Sequence, residues 1–120
     1  MLLLAQLLVG LVIAIHLYIV WLEMFAWTTR GPRTFRSLPP HLFEPTKVLA
    51  ANQGLYNGFL AAGLGWALLI ADPAWTRNVA SFFLGCVAVA GLYGAATAGP
   101  RILLVQTVPA LLALAAVWLA

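Results

Sequence analysis

The chain has 120 residues and sets six Lys or Arg against three Asp or Glu, a formal net charge of +3, while 64% of it is hydrophobic. Soluble domains devote about a quarter of their residues to charge; at 8% this chain lacks the means for an ordinary water-facing surface, and its mean hydropathy of +1.02 points to a membrane protein. The basic balance is too sparse for a nucleic-acid groove, so no nucleic-acid partner is expected, and a single cysteine, Cys86, excludes an internal disulfide.

Apolar runs of about 20 residues are what a hydrocarbon core requires, and the sequence offers them at roughly 2–27, 47–71, 75–98 and 101–119. The first lacks a basic leader and contains His16 and Glu23, so it is read as a retained helix and not a cleaved signal. The connection 28–46 is long, and its Pro39-Pro40 and Glu44-Pro45 pairs disfavour a continuous helix; His41, Leu42 and Phe43 between them form at most a single turn at the interface. Asp72-Pro73 reads as an N-cap with proline at the first helical position, and Gly99-Pro100-Arg101 ends one helix and starts the next. Pro109 interrupts the last run and frees the carbonyl of Val105, which predicts a kink beside Gln106. The predicted fold class is therefore all-α, one integral membrane domain over 1–120 built as a four-helix transmembrane bundle with antiparallel neighbours.

Basic residues set the expected orientation. Arg30, Arg33, Arg36, Lys47 and Arg101 fall on one side and Arg77 on the other, which places the long basic loop in the cytoplasm and both termini outside. Trp27 at the inner boundary and Trp75 and Trp118 at the outer one fit interfacial belts.

Polar side chains within the spans are costly and face the protein interior, so their heights are informative. At ~1.5 Å per residue, Glu23, Asn52, Gln53, Tyr93 and Gln106 lie roughly 6 to 9 Å below the inner boundary, with Asn57 deeper and His16 near the middle. All four spans would thus contribute to one polar cavity open to the cytoplasm. Gly54 with Gly58, and Gly91 with Ala95 and Gly99, have the four-residue spacing of close helix contacts. Cys86 reads as packing. No zinc, P-loop or nucleophile-elbow motif occurs, and His16 with Glu23 is two ligands short of a metal site, so neither metal nor other cofactor is expected.

The stretches HLYIVWLEMFAW at 16–27 and KVLAANQGLYNGFLAAGL at 47–64 resemble the hallmark segments of the DUF1304-type small bacterial integral membrane proteins, a family of unknown function. The resemblance spans the whole chain in length and number of spans. It implies a multi-pass protein of the bacterial inner membrane, with His16, Glu23, Asn52, Gln53, Tyr56 and Asn57 at motif positions. A departure is Ile15, where an acidic residue often precedes the histidine in that family.

The favoured function is binding or transport of a small amphipathic or lipid-like molecule, with Glu23, Asn52, Gln53, Tyr56, Asn57, Tyr93 and Gln106 as ligand-binding residues, membrane lipids as partners, and a homo-oligomer to enclose enough space. An intramembrane acid-base enzyme of isomerase or epimerase type, with His16 and Glu23 as catalytic pair, is the alternative; a structural scaffold is a third. Whether the protein is an enzyme is left open by the sequence.

Overall fold

The structure is a computed structural model and describes residues 1–119. Among the described residues it is all-helical and without strands: α1 (Leu3–Phe25), α2 (Gly31–Thr34), α3 (Lys47–Leu69), α4 (Pro73–Thr97) and α5 (Val108–Val117), with a 3-10 turn at Pro40–Leu42 and a π-helical segment at Leu103–Thr107 leading into α5. Two of the helices, α1 and α4, are long and apolar enough to cross a membrane.

The helix ends follow from local chemistry. The Asp72 carboxylate accepts a hydrogen bond from the Ala74 amide at 2.9 Å, so α4 starts at Pro73 with Asp72 as its cap, as the Asp72-Pro73 pair predicts, two residues ahead of the apolar run at 75–98. A proline at the first position loses nothing there, because its missing N–H would have had no partner. The Thr76 hydroxyl donates to the carbonyl of Ala67; this satisfies an acceptor in the last turn of α3 from the first turn of α4 and pins the two helices antiparallel.

The run predicted at 101–119 is not one regular helix. Pro109 cannot donate to Val105, and its ring would press on that carbonyl. The backbone answers by widening into π geometry over Leu103–Thr107, where helical bonds reach one residue further. A π bulge therefore stands where the kink is predicted, and it carries Gln106 and Thr107.

The 28–46 connection is more ordered than its prolines suggest. Trp27 stacks against Phe35 at 5.3 Å and Phe43 at 4.9 Å between ring centroids, and its indole N–H donates to Thr46 Oγ1 at 2.9 Å. That hydroxyl in turn donates to the Leu42 carbonyl at 2.7 Å. Phe43, predicted in an interfacial turn, is 2% exposed. The short helix α2 fits beneath it because Gly31 has no side chain: a Cβ would come within 2.9 Å of the Phe43 ring.

Helix α1 packs on α3 and α5, and α4 packs on the same two. The buried core is built from small side chains, among them Ala5, Val9, Ala67, Ala80, Val87, Ala110 and Ala113. Large ones such as Leu7, Trp66, Phe82 and Leu112 point outward. Interfaces of this kind gain from backbone proximity and dispersion contacts. The closest approach between α4 and the π segment is at Gly91, where a Cβ would lie 2.8 Å from the Thr107 amide nitrogen, and where the Thr107 hydroxyl donates to the Ala88 carbonyl at 3.0 Å.

Replacing Gly91 by alanine is expected to push the π segment away from α4 and destabilise the protein by about 2 kcal/mol, the usual range for overpacking. Gly85 on the same helix has open space around it, so Gly85→Ala should cost nothing. Unfolding of the two purified variants in mild detergent compares them directly; equal stabilities would show that the α4 contact does not constrain the bulge.

Candidate functional site

Glu23 lies in the last turns of α1, where Gly54 lets α3 come close. A Cβ on Gly54 would meet Met24 Cγ at 2.7 Å and Glu23 Cβ at 3.0 Å. On either side of this glycine α3 carries the partners of the carboxyl group: Gln53 Nε2 donates to Oε2 at 2.6 Å and Asn57 Nδ2 donates to Oε1 at 2.7 Å. Each oxygen thus takes one short amide hydrogen bond. Glu23 is 2% exposed, and its partners are these neutral amides; the ion pair with Lys47 or Arg101, which is the structural reading of this acid from sequence, is not what holds it.

His16, two turns earlier on α1, is fully buried. Its Nδ1 lies 2.8 Å from the Val12 carbonyl, which can only accept, so Nδ1 carries the hydrogen and Nε2 offers a lone pair. The Gln106 amide nitrogen sits 3.3 Å from Nε2 and donates to it. The π segment thereby reaches α1 through a single polar link.

Between these two clusters lies a cavity of about 500 Å³, within the usual size range of small-molecule sites. One wall is α1 from Ile15 to Glu23, with Gln53 and Asn57 behind it; the other runs through 98–106, and residues 34–37 close the loop end. The lining is mostly hydrocarbon. Tyr18 and Val105 line the cavity yet are 46% and 40% exposed, so it is a cleft that opens on the flank of the molecule. It exists because α1 packs along α5 and parts from the π segment. Ser37 Oγ donates to the Ala98 carbonyl at 3.4 Å, which ties the loop over the top of the cleft.

Of the residues singled out from sequence, Glu23, Gln53, Asn57 and Gln106 line this cleft, and His16 touches it only through Gln106. Asn52, Tyr56 and Tyr93 lie elsewhere: Asn52 is exposed, and the two tyrosines are 59% and 72% exposed. Helix α4 adds no polar group to the cleft wall. The depth argument did not pick out Tyr18, Ser37, Arg36 and Arg101, which all line it; Arg36 entered only as a marker of orientation and Arg101 also as an ion-pair candidate for Glu23, though their place at the same end as Glu23 was a usable signal.

The arrangement offers an apolar slot with hydrogen-bonding groups and two guanidiniums toward its loop end. His16 and Glu23 are each hydrogen bonded to separate partners and not to one another. Among the described residues no three His, Cys, Asp or Glu side chains come together as a metal site.

A family profile described as "Protein of unknown function (DUF1304)" matches residues 10–118. The chain is also similar to the uncharacterized protein YpaA of Lactococcus lactis subsp. lactis (strain IL1403), 30% identical over 99 residues that cover 81% of this chain and 82% of that protein. No solved structure matches the chain.

Asn57→Ala removes one of the two donors to a buried carboxyl and is expected to lower stability by about 1 to 3 kcal/mol, whereas Asn52→Ala, on an exposed position, should stay within about 0.5 kcal/mol of the parent. In a Glu23→Leu background the Asn57→Ala penalty should shrink. A double-mutant cycle from unfolding in detergent gives the coupling; a value near zero would mean that the amide is not held for the carboxyl.

Proposed function

The chain belongs to the DUF1304 family, proteins of unknown function, and we infer that it is a multi-pass membrane protein whose flank cleft binds a small amphipathic or lipid-like molecule, as a carrier or transporter does. The observation that supports this most is the cleft itself, about 500 Å³ of mostly hydrocarbon wall with the Glu23, Gln53 and Asn57 cluster at one side. An occupant matching both surfaces has an apolar body and a polar end.

The membrane setting is supported by the distribution of side chains. Large apolar residues cover the outside of α1, α3, α4 and α5, a surface that water would penalise and lipid would not. The longest dimension is 48 Å, close to the ~40–45 Å of a bilayer with its headgroups. In this reading Leu3–Phe25, Lys47–Leu69, Pro73–Thr97 and 101–117 all cross, and the loop with Arg30, Arg33 and Arg36 lies in the cytoplasm. The acid-base enzyme reading gains no support from a His16 bonded to Val12 and Gln106.

Two measurements test the reading. With Cys86 replaced by alanine, a Ser37→Cys variant should react with a membrane-impermeant thiol reagent in inverted inner-membrane vesicles and not in intact cells; the reverse pattern would overturn the orientation. For the site, the chain in phosphatidylcholine nanodiscs should bind a single-chain lysolipid saturably. Ile19→Trp or Val105→Trp, which fill the cleft, should abolish binding, and Glu23→Gln should weaken it about tenfold, the equivalent of one good hydrogen bond to a charged group. Binding that is absent in the parent chain, or untouched by all three substitutions, would defeat the assignment.

A further inference from the structure

Resting on the binding reading above, we propose that the occupant is a single-chain lipid with a phosphate head, seated with the phosphate between Arg36 and Arg101 and the chain lying in the slot between α1 and the π segment. The charges around the cleft are two guanidiniums and one carboxyl, so the lining carries a formal surplus of positive charge. The chain's three acids do not cancel it: Asp72 caps α4 at the opposite end, Glu44 is exposed and outside the cleft lining, and Glu23 already has both oxygens on amides. Arg36 comes from the loop and Arg101 from the turn after α4; both are exposed residues on the lining of the same cavity. Their forked donors suit phosphate oxygens, and two guanidiniums match the −1.5 to −2 charge that a phosphate monoester carries at about neutral pH.

The rest of the cleft fits the remainder of such a molecule. From Glu23 down to Ile15 the α1 wall extends about 12 Å at the helical rise, lined by Ile19 and Leu22 and faced by Ile102 and Val105. That is room for a hydrocarbon segment. Glu23 lines the same cleft, and a carboxylate accepts about four hydrogen bonds, so beyond its two amide partners it has capacity for the free hydroxyl of a lysolipid glycerol. The flank opening at Tyr18 and Val105 admits a chain from the side, so the ligand arrives from the bilayer.

The test uses the full chain in phosphatidylcholine nanodiscs with lysophosphatidic acid, lysophosphatidylcholine of the same acyl chain, and glycerol phosphate. Lysophosphatidic acid should bind at least about tenfold more tightly than lysophosphatidylcholine, and glycerol phosphate alone should not displace it. The preference should disappear in Arg36→Gln/Arg101→Gln and persist in Arg33→Gln, an exposed arginine outside the cleft lining. Equal binding of the two lysolipids, equal loss in Arg33→Gln, or displacement by glycerol phosphate would overturn the proposal. The two levels separate cleanly: equal binding that Ile19→Trp still abolishes defeats the phosphate assignment and leaves the cleft as a binding site, whereas no saturable binding of either lysolipid defeats both.

Discussion

The contact between α1 and α3 at Gly54 is the constraint on which the site depends. With hydrogen in place of a side chain there, the backbone of α3 comes up against Glu23 and Met24, and the carboxyl lands between an amide one residue before the glycine and another three residues after it. A buried carboxyl without donors is costly. The close approach and the two amides therefore require one another: the glycine brings the donors into range, and the donors make an acid tolerable at an apolar interface.

The opposite wall of the cleft has a separate origin. Pro109 breaks the bonding pattern of its helix, the backbone widens over Leu103–Thr107, and Thr107 is then fastened to α4 by its hydroxyl and by the fit against Gly91. The bulge is packed closely on α4 and reaches α1 only through a side-chain link, so the two walls part. The only side-chain hydrogen bond spanning that gap among the described residues is Gln106 to His16. A defect in one helix and a close contact in another thus leave space between them, with the ordered loop around Trp27 and Phe43 closing its end.

Much of this was legible beforehand, and the residues show where legibility stopped. The cap at Asp72 and the break at Gly99-Pro100 are local in sequence and local in structure. The effect of Pro109 was foreseen in place, and its form, a π bulge, depends on what the neighbouring helix will accept. The small helix α2 and the burial of Phe43 were not foreseen, since they arise from Trp27 meeting aromatic rings that lie well along the chain.

Composition and spacing by themselves determined that the chain is helical and apolar, where its turns fall, and that Glu23, Gln53 and Gln106 share a height, because rise along a helix is a simple function of residue number. Which side each residue faces is another matter. A helix that is apolar all round gives no stripe to mark its inward face, so Asn52 and Tyr93, at suitable heights, and Tyr56, at a motif position, are exposed and lie outside the cleft. Only the packing of α1 on α3, and of the π segment on α4, decided which polar groups meet and where the space between them opens.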